Sequence, residues 1–423
     1  MSDHSSGLRE WKSHWPLVIT AFLGMSFPSV AYYSMGLFLE PLHRDFGWTR
    51  TQFSLGASVA AIITIPMAPF VGALIDRWGV RVFALPGVVL TAASISSFAL
   101  ADGRIAQWAT LWALFALCQS FLKTTVWTAA VMSRFVASRS LAMAVTLCGA
   151  SFANIAAPPV SRWLIEVYGW RTSYVALAIG WGIPVIVLCA LFLYDGHDDK
   201  RHNAARDVAG PSGLYNGLSI REALHSRAIL RIALATLITL LLTACLVVHQ
   251  VPLLVEAGIS RSSAAYLASL SGFSAIAGSL ISGWLMDRLH AGTIGAYTNA
   301  AGALALLLLL EAFRTPTTIV IAMLVIGYAS GTKLQLCGYL TSVYAGRRHF
   351  GKIFGVMAGI IAVSSAIGPA MGGAIYDYTG SYTLLIWLFV PGGLIAAALL
   401  VGLGPYPDWG ERRDRVERDR TSP

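Results

Sequence analysis

The chain is 423 residues long, 56% hydrophobic and only 12% charged, with 40 Gly, 13 Trp and a mean hydropathy of +0.66. A soluble domain carries about 25% charged residues, so this composition excludes one and indicates a membrane protein. The net charge of +9 does not imply a nucleic-acid partner, because the basic residues sit in short connectors between apolar runs and form no single stripe.

The first fifteen residues, "MSDHSSGLREWKSHW", are polar and read as a cytoplasmic N-terminal segment, 1–15. No small-residue cleavage pattern follows the first apolar run, so a removed signal peptide is not expected. Twelve apolar runs follow: 16–40, 51–75, 82–100, 107–133, 140–165, 172–194, 228–254, 263–286, 293–312, 316–343, 352–375 and 382–403. Each has the roughly 20 residues needed to cross a bilayer. They predict an all-α membrane protein with twelve transmembrane helices in two pseudo-symmetric six-helix bundles, 16–195 and 228–404. The connector between them, 196–227, is charged and rich in Gly and Ser and reads as a cytoplasmic linker. The tail, 405–423, is cytoplasmic in the same reading. Its Arg cluster is either solvated or in touch with anionic headgroups. Cys118, Cys148, Cys189, Cys245 and Cys337 all fall inside apolar runs. Their spacing fits no metal motif; they read as buried free thiols, and no metal or cofactor is expected.

Loop charge gives the orientation. Of the 30 Lys and Arg, 21 lie on the side of the two termini, 7 on the other side, and two, Lys123 and Lys333, within spans. The positive-inside rule then puts both termini in the cytoplasm.

The two halves repeat. "GWTRTQFSLGAS" at 47–58 aligns with "GISRSSAAYLAS" at 258–269, and "GALIDR" at 72–77 with "GWLMDR" at 283–288, both at an offset of 211. Pro159 and Pro369 match at 210, and so do Lys123 in span 4 and Lys333 in span 10. Such duplication is a transporter architecture. Lys123 lies eleven residues before Arg134 at the cytoplasmic edge, about 16 Å deep at 1.5 Å per residue. Lys333 lies fourteen before Arg347, at a similar depth.

These residues resemble the major facilitator superfamily over essentially the whole chain. "GALIDRWGVR" carries that superfamily's G-x-x-x-D-R signature and "GWLMDRLHAG" its weaker copy. More narrowly, "FGWTRTQFSLG", "YGWRTSY", "VVHQVPLLVEAGISRSSAA", "YAGRRHFGKIFG" and "IGPAMGGAIYDYTGSY" are similar to the bacterial monocarboxylate-transporter-like branch, related to oxalate/formate exchangers. The resemblance implies a central cavity, alternating access, organic anions as substrates, and a bacterial cytoplasmic (inner) membrane location. A monomer in contact with membrane lipids is expected. Animal monocarboxylate carriers have a lysine in helix 1 and an Asp–Arg pair in helix 8. Here span 1 reads "FPSVAYYSMGLFLEP" and span 8 is uncharged from Ser262 to Met286, so their proton and lactate chemistry does not carry over.

A charge at bilayer depth is costly and commonly functional. Snorkelling does not suit two lysines at that depth. Pairing with a protein carboxylate does not either, since Glu40, Glu166, Glu256, Glu311 and Asp377 all lie near span ends. The remaining reading is that Lys123 and Lys333 bind the substrate anion. A carboxylate between two ammonium groups also offers a route to coupled proton uptake. His249, the one histidine inside an apolar run, reads either as a packing residue or as a substrate or proton ligand. Trp127, one turn from Lys123, stacks on a ligand or packs on helices. Gln119, Tyr32 and Tyr33 are similarly open. Asn154 and Ser364, another 210-offset pair, bind substrate or backbone carbonyls. Asp76, Arg77, Arg81, Asp287 and Arg288 lie at cytoplasmic helix ends and read as a gating latch.

No G-x-x-x-x-G-K-[ST] loop and no nucleophile–base or metal constellation occurs, so neither an ATP-driven pump nor an enzyme is indicated. The alternatives are an efflux carrier for amphipathic compounds, which typically needs cavity acids, and a non-transporting receptor or channel, which would lack saturable counter-flow. A latch biases the conformational equilibrium without touching ligand. Asp76→Asn is therefore expected to slow exchange at saturating substrate severalfold while leaving affinity nearly unchanged. Paired binding and exchange assays check this, and lost binding at an intact saturated rate would refute it.

Overall fold

Within a bilayer no water reaches the backbone, so each apolar run must satisfy its own peptide groups as a helix. The computed structural model describes residues 2–193, 217–346 and 350–407 apart from 79, 133, 136, 137 and 287; in some helical stretches, among them 2–9 and 72–78, it describes the backbone alone. The helices are α1 (Ser2–Phe46), α2 (Arg50–Trp78), α3 (Val80–Ser97), α4 (Ile105–Ser120), α5 (Thr124–Met132), α6 (Arg139–Phe192), α7 (Ile220–His225), α8 (Arg227–Glu256), α9 (Arg261–Met286), α10 (Ala291–Leu307), α11 (Pro316–Ala345), α12 (Phe350–Thr379) and α13 (Thr383–Val401). The twelve spans are all present. Spans 5 and 6 run together as α6, with Gly169 (φ 76°, ψ 166°) as the non-helical junction. Among the described residues the only β pairing is one isolated bridge between Gly217 and Gly346.

Two elements depart from the expected outline. Part of the linker is ordered: α7 opens on a Ser219–Glu222 capping box, and the Leu218 N–H donates to the Ala345 carbonyl at 2.8 Å. Span 4 is interrupted, with Phe121, Leu122 and Lys123 forming a turn between α4 and α5. Neighbours repair that turn. The Trp127 indole Nε1 donates to the Leu122 carbonyl at 2.8 Å, replacing the bond lost when the Val126 N–H turns to the Lys123 carbonyl instead. The indole is fully buried and lies against Gly24 of α1, where a Cβ would overlap its ring. Gly87 of α3 likewise leaves room for Phe121, whose Cβ would sit 2.9 Å from an added methyl.

Packing divides the chain into two compact units. One comprises Met1–His202, Ala244–Phe273 and Ser365–Leu384; the other comprises Asn203–Thr243, Ser274–Ser364 and Leu385–Pro423. The first is centred on aromatic side chains, with Phe38 stacked on Tyr174 at 3.9 Å and Phe98 against Trp108, Trp112 and Phe115. The second buries Met286, Ile294, Leu336, Leu340, Tyr344 and Leu400.

The repeat is visible within the first unit. Gly47 and Gly258 have φ of 68° and 83°, and Gly169 and Gly380 have 76° and 72°. Both pairs stand 211 apart and end helices in the left-handed region that glycine tolerates. A carboxylate tie repeats with them. Asp45 accepts from the Trp170 indole at 2.8 Å, and Glu256, 211 residues on, accepts from the Ser381 hydroxyl at 2.6 Å and the Tyr382 N–H at 3.1 Å. Overpacking a close contact costs about 1–3 kcal/mol, so Gly24→Ala should lower the melting temperature of the purified protein by several degrees. Gly180→Ala, where a Cβ meets open space, is the control expected to change little.

Candidate functional site

Lys123 occupies the turn that interrupts span 4, where its half-buried side chain leaves a non-helical backbone. Among the described residues its ammonium has no hydrogen bond or ion pair. Lys333 sits inside the unbroken α11. Its Nζ donates to Thr243 Oγ1 of α8 at 2.7 Å. The Thr243 hydroxyl donates onward to the Thr239 carbonyl at 2.7 Å, and the Thr239 hydroxyl to Asn299 Oδ1 of α10 at 3.1 Å. Lys333, Asn299, Thr236 and Thr239 line one cavity with Leu336 and Cys337. A hydroxyl that gives its proton to a carbonyl keeps its lone pairs for the ammonium, yet neutral oxygens supply no counter-charge. No carboxylate pairs with Lys333 among the described residues.

The sequence profile of the Major Facilitator Superfamily matches residues 17–310 and 232–421. The chain belongs to the Major Facilitator Superfamily. It is a multi-pass membrane transporter, not an enzyme. Similar curated proteins include "Monocarboxylate transporter 13" of Bos taurus, 27% identical over 410 residues, covering 92% of this chain and 88% of the relative. "Monocarboxylate transporter 12" of Homo sapiens is 25% identical, over 92% of this chain and 80% of the relative. A bacterial homologue of the human lysosomal transporter Spinster, solved in an inward-facing and unoccupied conformation, shares the fold with a TM-score of 0.61 at 15% identity, over 92% of this chain and 93% of that one.

Several of the expected site residues of this facilitator are engaged by protein groups. Gln119 donates to the Tyr32 hydroxyl at 2.7 Å, joining α4 to α1. Tyr33 is half-buried. Trp127 is committed to the Leu122 carbonyl and to Gly24, the environment of a packing tryptophan. The Ser364 hydroxyl contacts two carbonyls, Ile360 at 2.9 Å and Leu237 at 3.1 Å. This is the backbone-binding alternative. Asn154 borders Gly272 of α9, whose added Cβ would lie 3.1 Å from the Asn154 carbonyl carbon. His249 is fully buried. It lies 2.8 Å from the Tyr382 hydroxyl, 2.9 Å from the Pro369 carbonyl and 3.3 Å from Ser54 Oγ.

Of the five expected latch residues, the Asp76 and Arg77 side chains and Asp287 lie outside the described residues. Arg81 donates to the Ala190 carbonyl at 2.9 Å, placing a cation at the end of α6. Arg288 lies over Trp284 at 4.0 Å.

One cluster is absent from the sequence reading. Asp377 of α12 accepts the backbone N–H groups of Arg50 at 3.0 Å and Thr51 at 2.8 Å, capping the first turn of α2. The Arg50 guanidinium lies 3.3 Å from the Tyr376 ring centroid and donates to the Tyr382 hydroxyl at 2.5 Å. The aligned pair Arg50 and Arg261 was a visible signal; both line a cavity with Glu40, Glu256 and Tyr376.

Removing the one protein acceptor of a buried cation costs about 1–3 kcal/mol. Thr243→Val should therefore lower thermal stability in detergent, and adding Lys333→Met should recover part of the loss by removing the stranded charge. A double mutant no more stable than Thr243→Val alone would show that the hydroxyl does not serve the ammonium.

Proposed function

We propose that this chain is a secondary active transporter that moves a small organic anion, a mono- or dicarboxylate with room for an aromatic body, across the cytoplasmic membrane by alternating access. The observation that carries the reading is the pair Lys123 and Lys333. They stand 210 residues apart at equivalent places in two repeats. Neither has a carboxylate partner among the described residues, and Lys333 has only a threonine hydroxyl. An uncompensated ammonium in a low-dielectric span is stabilised by an anion that enters from outside the protein. Relatives that cover 92% of the chain carry the name monocarboxylate transporter, which agrees with that ligand class. In this reading the halves 16–195 and 228–404 rock about the anion, both termini are cytoplasmic, and protons are the candidate coupling ion.

Each charge-assisted contact contributes about 1.5–3 kcal/mol, equivalent to a factor of ten or more in affinity. Lys123→Gln and Lys333→Gln are each expected to weaken binding of the best carboxylate by at least about tenfold. A thermal-shift panel of mono- and dicarboxylates on wild type and both variants, repeated from pH 5 to 8, reads this out. Unequal losses favour a monoanion. Equal stabilisation of all three proteins, or preference for cationic or neutral compounds, would refute the anion clamp.

A further inference from the structure

The cluster at the start of α2 joins elements from both sequence repeats inside the first compact unit. Helix α2 belongs to the N-terminal repeat; α8, α12 and α13 belong to the C-terminal one. Three kinds of contact hold them. Asp377 caps α2 through two backbone N–H groups. Glycines permit close backbone approach: a Cβ on Gly373 would lie 2.7 Å from the Arg50 carbonyl, and one on Gly36 would lie 2.6 Å from the Val248 carbonyl. The third is a directed hydrogen-bond chain. Pro369 offers only a carbonyl, so His249 Nε2 must donate to it at 2.9 Å. The neutral ring then leaves Nδ1 as an acceptor, and the Tyr382 hydroxyl donates to it at 2.8 Å. That leaves the Tyr382 oxygen free to accept from Arg50 Nη1. The donors run in one direction from the Arg50 guanidinium to a carbonyl inside α12, with Ser54 Oγ a second, longer contact of His249 Nε2 at 3.3 Å.

We infer that Arg50, Tyr382 and His249 form a gate relay that holds this end of the carrier shut, so that His249 serves gating and not substrate binding. His249 is fully buried and both ring nitrogens are spent on protein groups. The relay ties α2 to α8, α12 and the turn that leads into α13, at the end of the spans opposite the chain termini. Rocking of the two halves, on which this inference rests, must break it to open that end. The latch is one-sided. The repeat counterpart of Asp377 is Glu166, which pairs with Arg162 of its own helix at 2.7 Å. The counterpart of Arg50 is Arg261, which sits 3.6 Å from Glu40. Arg50 has no ion pair among the described residues and is held by aromatic faces, 3.3 Å from Tyr376 and 4.9 Å from Tyr382. Such cation–π contacts can be released without separating a salt bridge.

The test uses the full chain in liposomes with Val251→Cys as a reporter, since Val251 is buried and lines the cavity beside Arg50. The parent chain without the reporter gives the background from native cysteines. Tyr382→Phe keeps the ring and removes both hydroxyl bonds. It is expected to speed labelling of the reporter by a membrane-impermeant maleimide about fivefold or more, by shifting the population toward the open end. Affinity for the best carboxylate should change by less than about twofold, since the ligand makes no contact with the relay. Unchanged labelling overturns the gate relay, and unchanged labelling with lost affinity assigns Tyr382 and His249 to the substrate site. If Tyr382→Phe does not fold, Arg50→Lys, which keeps the cation and loses the fork, is expected to show the same acceleration, and an unchanged rate again overturns the relay. Failure of every carboxylate to bind wild type would refute the substrate reading while leaving the labelling result to judge the gate.

Discussion

An ammonium group deep in a membrane span needs acceptors or a counter-charge, and the two span lysines meet that constraint in different surroundings. The cost of leaving such a group bare is several kcal/mol. Around Lys333 the sequence answers with hydroxyls: Thr243 and Thr239 on successive turns of α8, then Asn299 of α10. Around Lys123 no acceptor for the ammonium is found among the described residues. The helix is interrupted at the lysine, and the freed Leu122 carbonyl is taken by an indole. Among the described residues neither lysine is neutralised by a carboxylate, and only Lys333 has a hydrogen-bond acceptor.

The spans and their doubling were legible because bilayer thickness imposes a length and duplication leaves an offset. The pairs of left-handed glycines and the repeated carboxylate ties show that the offset is physical, since it recurs in backbone angles and hydrogen bonds. The interruption at Lys123 was not legible. Its sequence, "QSFLKTTVWTAA", has neither proline nor glycine, and the turn is imposed by room left at Gly24 and Gly87 on two other helices. The cluster at Arg50 was missed for a related reason. Its partners Asp377 and Tyr382 are more than three hundred residues away, and hydropathy carries no pairing information. His249 stands out in the sequence as the one histidine inside an apolar run, but its surroundings decide what a buried histidine does, and those come from α2, α12 and the turn before α13.

The two repeats have kept their geometry and parted in their chemistry. Equivalent lysines sit on a broken helix in one half and an intact helix in the other. Equivalent carboxylates, Glu166 and Asp377, make a within-helix ion pair in one half and a helix cap in the other. An exposed i, i+4 pair contributes a few tenths of a kcal/mol, whereas a carboxylate on two backbone N–H groups at a helix start is a stronger, charge-assisted tie. A duplicated scaffold that is symmetric in shape is therefore unequal in the strength of the ties its equivalent carboxylates make.

The contact between Gly24 and Trp127 has one more implication. The indole fits only because α1 offers no side chain at that point, and the same indole closes the turn that displays Lys123. The two positions thus share a fixed volume. Neither can drift alone: a larger residue at 24 demands a smaller one at 127, and a smaller one at 127 uncovers a carbonyl beside the lysine. Natural variation across homologous carriers should therefore appear as paired exchanges at these sites, and a suppressor search begun from a bulky residue at 24 should return changes at 127 or along the 121–123 turn. Substrate preference would shift with those pairs although neither side chain need touch the substrate.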